Sequence, residues 1–179
     1  MTDYLRQILK RFIDKDFIFS IVKTSGDQLK YASKRLRDFK ELVIAAVSNN
    51  GEALKYVSDK KRDDTEVILT AVLNNGMALK YASESKRDNK DILIAAVSKK
   101  GSALKYASDS LKDDKEVVLI AVSNNGWALE FASDRLKDED DIVKISLNNS
   151  SRSILRFASD RLKNKHEFDS ELDYNDLPF

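Results

Sequence analysis

The chain contains no cysteine, one histidine and one proline among its 179 residues. Without cysteine it has no disulfides, no thiolate nucleophile and no zinc site with sulfur ligands, and we expect a reducing, cytoplasmic compartment. The one histidine, His166, has no second histidine or cysteine with which to share a metal, so we interpret it as a surface residue. These absences predict neither a metal site nor a cofactor site.

Long apolar runs are also absent. No stretch of eighteen apolar residues occurs, and the start MTDYLRQILKRFIDK carries Asp3 and Asp14 without a small-residue cleavage site. We therefore expect neither a membrane span nor a secretory signal. The chain is nevertheless 42% apolar, which is enough to bury a core.

Glycine is scarce, and the five glycines are spaced 25 residues apart at Gly26, Gly51, Gly76, Gly101 and Gly126. An apolar hexamer recurs before each of them and once more after the last. The six hexamers are FIFSIV from Phe17, LVIAAV from Leu42, VILTAV from Val67, ILIAAV from Ile92, VVLIAV from Val117 and IVKISL from Ile142. Such a fixed period indicates a tandem array of six units.

Each hexamer is predicted to form a helix. Asp38 followed by Glu41, and the equivalent acidic pairs of later units, resemble a capping box at a helix N-terminus. About ten residues later comes the glycine, which can end a helix in the left-handed conformation. The apolar residues cover most of the circumference of this helix, so we expect it to have neighbours on both sides.

A second, shorter helix is predicted after the glycine. In the segment EALKYVS, Ala53, Leu54 and Val57 lie on one arc, while Lys55 and Tyr56 lie on the other. The competing interpretation makes the hexamers strands, as in leucine-rich repeats of similar period. The acidic caps, the paired alanines and the terminal glycine favour the helix.

These features predict an all-α fold, a right-handed-type α-solenoid of about six 25-residue two-helix repeats with N- and C-terminal caps. We expect residues 1–13 to form an N-terminal capping helix, residues 14–165 the six-unit array as one domain, and residues 166–179 an acidic C-terminal cap or tail. One residue is inserted in the sixth unit, because Leu129 corresponds to Leu155, 26 positions later.

The repeated pattern D-x-K-E-V-V-L-x-A-V-x-x-N-G-x-A-L-K-Y-A-S resembles the short tandem repeat of domain of unknown function 4116, found in bacteria, protozoa and giant viruses. The copy DDKEVVLIAVSNNGWALEFASDRLKD from Asp113 shows it most fully. The resemblance implies a helical repeat in an intracellular protein, with a host-directed or defence-counteracting role, and it brings no catalytic residues. Ser20, Ile21 and Lys144 depart from the pattern, as does the missing glycine of the sixth unit.

No residue pattern typical of catalysis is present, and we expect that the protein is not an enzyme. The glycines form neither a dinucleotide-binding fingerprint nor a phosphate-binding loop, and the paired carboxylates lack the spacing of a calcium loop. Acidic groups at helix starts explain those pairs better. The serine that recurs in every unit fits a structural turn or cap. Its six copies are Ser33, Ser58, Ser83, Ser108, Ser133 and Ser159.

The residues that vary between units lie on the outer arc of the short helix, which predicts a face that binds another protein. Trp127 stands where other units are mostly polar, one turn before Phe131, so the two could form an apolar anchor. Alternatively, Trp127 packs on the irregular sixth unit and covers its insertion. The predicted partner-binding residues are Met77, Lys80, Tyr81, Lys105, Tyr106, Trp127 and Phe131.

Two other kinds of partner stay open. Rows of cations one unit apart could follow a phosphate backbone, which makes nucleic acid an alternative ligand. Self-association is a third possibility, since residues 1–90 carry 18 Lys and Arg against 13 Asp and Glu, and residues 91–179 carry 13 against 17. The predicted nucleic-acid-binding residues are Lys30, Lys55, Lys80 and Lys105 in one row, and Arg37, Arg62, Arg87, Lys112 and Lys137 in the other.

Overall fold

The computed structural model describes residues 15–164. It contains six long α-helices, one for each apolar hexamer, and we number the units 1 to 6 by them. They span Lys15–Thr24, Lys40–Asn49, Thr65–Asn74, Lys90–Lys99, Lys115–Asn124 and Asp140–Asn148.

A short 3-10 helix of six residues follows each long helix. In units 1 to 6 the short helices span Gly26–Tyr31, Gly51–Tyr56, Gly76–Tyr81, Gly101–Tyr106, Gly126–Phe131 and Arg152–Phe157. The second helix of the unit is therefore tighter than an α-helix. A connector with a single helical turn then leads onward, and these turns are Leu36–Asp38, Lys61–Asp63, Glu84–Arg87, Asp109–Lys112, Leu136–Asp138 and Asp160–Lys163.

Successive units stack on one another, long helix against long helix and short helix against short helix. The predicted all-α solenoid is confirmed for residues 15–164, where no strand occurs, so the leucine-rich-repeat interpretation was wrong. The predicted capping helix 1–13, the tail 166–179 and His166 lie outside the described residues, and the domain boundaries stay predictions.

The core is continuous along the array because every unit contributes the same positions. In unit 2, the long helix buries Leu42, Val43, Ala46 and Val47, and the short helix buries Leu54. Neighbouring units cover these side chains on both sides, as the apolar wheel predicted. In unit 6 the inserted residue is accommodated between the two helices, and Ile154 is buried where Ala128 is buried one unit earlier.

The glycines do not end the long helices in the left-handed conformation, and that prediction was wrong. No glycine among the described residues has a positive φ. Each of the five instead begins a short helix, with its α-carbon against the long helix of the next unit. A Cβ atom at Gly51 would overlap the backbone carbonyl oxygen of Ala71, and the other four glycines face the same obstacle. The glycine is needed for close approach of two units.

The long helices also begin one residue later than the capping box predicted. Asp64 and Asp114 are the N-cap residues of units 3 and 5, and their carboxylates accept hydrogen bonds from backbone N–H groups of the first turn. The preceding Asp63 has a different role, because it accepts a hydrogen bond of 2.5 Å from the Ser83 hydroxyl of the next connector. Only the second carboxylate of each pair caps its helix.

The same hydrogen bond joins each pair of consecutive connectors. The serine hydroxyl donates to the aspartate of the preceding connector in the pairs Ser58 to Asp38, Ser83 to Asp63, Ser108 to Asp88, Ser133 to Asp113 and Ser159 to Asp138. The structural role predicted for the recurring serine is confirmed. Within residues 15–164, no helix is both long and apolar enough to cross a bilayer.

Candidate partner-binding face

Asparagine side chains at the ends of long helices form hydrogen bonds to the preceding unit and so position its short helix. The Asn49 side chain accepts a hydrogen bond of 2.8 Å from the N–H of Gly26 and donates one of 3.0 Å to the carbonyl oxygen of Lys23. Asn74 and Asn124 make the equivalent two bonds to their preceding units. At these three junctions the short helix is aligned with the following unit, and the outer residues of the stacked short helices form one continuous face.

In units 1 to 3, ion pairs join neighbouring short helices across this face. Lys55 Nζ lies 3.7 Å from Asp27 Oδ1, and Lys80 Nζ lies 3.3 Å from Glu52 Oε1. Lys80 also lies over the ring of Tyr81, 4.6 Å from its centroid. The contact with Tyr81 and the carboxylate of Glu52 raise the pKa of Lys80 above its ordinary value. The charges of Lys55 and Lys80 are therefore paired within the array, whereas Lys30 lies over the ring of Tyr31, 4.7 Å from its centroid.

This pairing stops at unit 4. Met77 stands where Asp27 and Glu52 stand in the first two units, so Lys105 has no carboxylate across the junction, and the thioether of Met77 instead lies 3.5 Å from the Ser102 hydroxyl. In unit 5 the lysine itself is replaced by Glu130. Both Lys105 and Glu130 are exposed, and in the described part of the chain neither side chain forms a hydrogen bond or ion pair.

Trp127 continues the change of chemistry on this face. Its ring meets Phe157 of unit 6 edge to face, with centroids 6.1 Å apart, and the guanidinium of Arg156 lies 5.0 Å from the Trp127 centroid. Trp127 therefore packs on unit 6, as the alternative interpretation of the sequence expected. The side chain still exposes 36% of its surface, so its predicted role in partner binding stays a prediction.

The aromatic row beside these residues is mostly built into the scaffold. Tyr56, Tyr81, Tyr106 and Phe131 are partly buried against the core, which agrees with an aromatic that packs unit against unit. Tyr31 at the start of the array differs, since 65% of its surface is exposed.

The second row of cations, predicted as an alternative nucleic-acid contact, is largely engaged with the protein itself. Arg37 and Arg62 donate to backbone carbonyl oxygens at the ends of the short helices of their own units. Lys112 pairs with Asp109 and Lys137 with Asp134. Arg87 is the exception within residues 15–164, because no hydrogen bond or ion pair holds its guanidinium.

All seven predicted partner-binding residues lie on the short helices of units 3 to 5, which stack consecutively. We call this surface the short-helix face of units 3 to 5. Sequence reasoning left Ser102, Glu130 and Arg156 out of the site, although each borders a predicted residue. In the sequence, Glu130 stands where units 1 to 4 carry a lysine, and this difference could have identified Glu130 as part of the site.

Nothing in the described residues assembles a metal site, because no group of three or more His, Asp or Glu side chains converges there. The carboxylates of the connectors are instead engaged with hydroxyls. The hydroxyls of Ser83 and Ser85 lower the pKa of Asp63, and the Ser133 hydroxyl, followed by the Arg135 guanidinium, lowers the pKa of Asp113. These carboxylates remain ionised acceptors at neutral pH.

The fold and its surface define a helical tandem-repeat protein whose conserved positions between units build the scaffold. The chain belongs to the family described as Domain of unknown function (DUF4116), whose model matches residues 14–60, 40–87, 64–112, 89–137 and 114–163. Each match covers about two stacked units, and together they span the array. No curated protein and no solved structure is significantly similar to the chain.

Proposed function

We propose that the protein is a non-catalytic scaffold that binds a partner protein through the short-helix face of units 3 to 5. The observation that carries this proposal is the end of the ion pairs between neighbouring short helices after Lys80 and Glu52. From there on, the face presents Met77, Lys105 and a partly exposed Trp127, and Lys105 has no carboxylate partner among residues 15–164.

Such a mixture of an exposed aromatic, a thioether and unpaired charges is typical of protein interfaces. A role directed at a host or at its defences is proposed from the family resemblance. A nucleic-acid strand is less favoured as the partner, because most cations of the two rows are engaged internally and Glu130 interrupts one row.

The test is affinity capture from cell lysate at low and high salt, followed by identification of the bound protein and nucleic acid. We expect a discrete protein that is retained at high salt by the wild type and lost by the double variant Trp127→Ser, Met77→Ser. Leu73→Ser is the matched control, since it removes a 53% exposed apolar side chain from a long helix instead.

Circular dichroism of each variant establishes that it remains folded. Nucleic acid retained only at low salt, with the double variant equal to the wild type, would transfer the function to the cationic rows. Equal loss of the captured protein in the Leu73→Ser control would place the interface elsewhere on the array.

A further inference from the structure

A cleft of about 360 Å³ lies between the connector that follows unit 3 and the short helix of unit 4. The connector contributes Glu84, Arg87 and Asp88 to its walls. The short helix and the residues after it contribute Lys105, Tyr106, Ala107 and Ser108. The cleft opens beside the short-helix face of units 3 to 5, because Lys105 and Tyr106 belong to both.

The cleft holds two cations whose equivalents one unit earlier form ion pairs within the array. One unit earlier, the equivalent of Arg87 is Arg62, which donates to the carbonyl oxygen of Lys55 at 2.7 Å and pairs with Asp59 at 3.5 Å. The equivalent of Lys105 is Lys80, which pairs with Glu52.

At this cleft neither cation makes the equivalent internal contact within the part of the chain that the structure describes. Met77 replaces the carboxylate that would face Lys105, and the guanidinium of Arg87 makes no hydrogen bond or ion pair. The cleft is thus the place among residues 15–164 where one cation of each row is left without an internal hydrogen bond or ion pair.

The anionic groups of the cleft do not cancel these charges in the same way. Asp88 already accepts hydrogen bonds from the hydroxyls of Ser108 and Ser110. Glu84 is exposed at the rim and makes no ion pair with Arg87 within 4 Å. A guanidinium that donates through two N–H groups and a nearby ammonium would together suit one carboxylate.

We propose that this cleft, as part of the proposed scaffold function on which this inference rests, receives the carboxylate of an acidic side chain from a partner protein. Tyr106 lines the cleft beside the two cations, and Met77 lies on the adjoining short helix. A partner segment with an apolar residue next to its acidic residue therefore fits both.

The surroundings favour a single acidic side chain over a chain of phosphates. Stacked helical units repeat about every 8–10 Å. At that distance along the face, the next unit presents Glu130 where unit 4 presents Lys105. A continuous polyanion would meet this carboxylate, whereas a peptide could place a basic residue there.

Selection of short random peptides displayed on phage, with the immobilised full-length chain as bait, tests the inference. We expect selected peptides to be enriched in Asp or Glu beside an apolar residue. A synthetic peptide of the selected sequence should bind the double variant Arg87→Glu, Lys105→Glu about a hundredfold more weakly than the wild type, because like charges then face each other. Replacing the peptide's acidic residue by Lys should restore binding to this variant.

The matched control is Lys34→Glu, Lys60→Glu, which reverses two exposed cations outside the cleft and should bind like the wild type. Peptides that bind without any acidic requirement, or equally well to the cleft variant, would overturn the cleft proposal and leave the scaffold proposal intact. If no peptide is selected and a fluorescent single-stranded oligonucleotide binds instead, both proposals fail.

Discussion

At the scale of single residues, the recurring glycine shows how stacking of units constrains composition. A Cβ at Gly51 would overlap the backbone carbonyl oxygen of Ala71 in the next long helix. That oxygen cannot move freely, because it accepts the 2.9 Å hydrogen bond from Asn75 N that completes the helix. The position therefore requires the absence of a side chain, although its backbone conformation is one that any residue adopts.

We predict that Gly51→Ala lowers the free energy of unfolding by roughly 2–3 kcal/mol, because the added methyl group forces two units apart. Urea denaturation followed by circular dichroism measures the effect. Ser48→Ala, which changes an exposed residue of the same unit, should alter stability by less than about 0.5 kcal/mol. A Gly51→Ala variant as stable as the wild type would show that the units are not held at this separation.

Ser146 is a second position where the neighbouring unit decides what is tolerated. Units 2 to 5 place alanine here, at Ala46, Ala71, Ala96 and Ala121. Ser146 is fully buried, and its hydroxyl has no hydrogen-bond partner among the described residues. A buried hydroxyl without a partner costs stability.

We therefore predict that Ser146→Ala raises the free energy of unfolding by about 1 kcal/mol, since alanine removes the unpaired hydroxyl and keeps the packing. The measurement is the urea midpoint compared with the wild type and with Ser98→Ala, an exposed control at the end of another long helix. A loss of stability in Ser146→Ala would mean that the hydroxyl is hydrogen-bonded after all.

At the scale of elements, the junction between units 3 and 4 differs from the other junctions. The asparagine that bridges neighbouring units is replaced by Lys99, so the N–H of Gly76 lacks the acceptor that Gly51 and Gly101 have. Thr65 replaces the lysine that elsewhere pairs with two carboxylates of the next unit, as Lys40 and Lys90 do. Apolar packing continues across this junction, and its polar contacts are fewer.

We predict that this junction opens first and that Lys99→Asn strengthens it. The substitution supplies an acceptor to Gly76 N–H and a donor to the preceding unit, which should add about 1 kcal/mol. Hydrogen exchange should be faster at Gly76 than at Gly51 or Gly101 in the wild type, and slower at Gly76 in the variant.

Lys60→Asn serves as the control for loss of a lysine, because Lys60 is exposed and lies in a connector. Equal exchange rates at Gly76, Gly51 and Gly101 in the wild type would contradict a weaker junction.

The row of serine to aspartate hydrogen bonds between connectors makes stability depend on acid pH. The hydroxyls of Ser83 and Ser133 lower the pKa of Asp63 and Asp113 below the ordinary value of 3.8. A carboxylate with a lowered pKa in the folded state stabilises the fold above pH 3.8. This contribution is lost as the pH falls through the folded pKa.

We predict that the double variant Ser83→Ala, Ser133→Ala has a lower urea midpoint than the wild type at neutral pH. The difference between the two midpoints should shrink below pH 3.8. Denaturation curves collected from pH 6 downward, in steps of about half a unit, measure the difference. A difference that stays constant over this range would assign the effect of the serines to their capping of the connector turns, not to the carboxylates.

At the scale of the whole molecule, each unit contacts its neighbours and little else, so the units should be exchangeable. Deleting residues 90–114 removes one period and joins Asn89 to Lys115. The N-cap is then followed by an equivalent long helix, and Gly76 faces Asn124 in place of Lys99.

We predict that this deletion leaves a folded, helical and cooperatively unfolding array of lower stability. Deletion of residues 90–109 breaks the period and should give a largely unfolded or aggregating chain. Circular dichroism and urea denaturation compare the two deletions. Equal loss of helix in both would contradict exchangeable units.

Much of the architecture follows from the sequence alone, because six units repeat the same pattern of apolar and polar positions. The apolar positions of the long helix, such as Leu42 and Val47, had to be buried on both sides, and they are. The period of 25 and the one-residue insertion before Leu155 likewise determined the number and register of the units.

The tertiary structure alone decided the contacts that cross from one unit to the next. The need for glycine at position 51, the hydrogen bond from Ser83 to Asp63, and the pairing of Trp127 with Phe157 all depend on atoms 20 or more residues away. Local pattern cannot supply these, because a glycine or an aspartate suits several local conformations and only its neighbour in space selects one. The release of Arg87 and Lys105 is visible for the same reason only after the units are stacked.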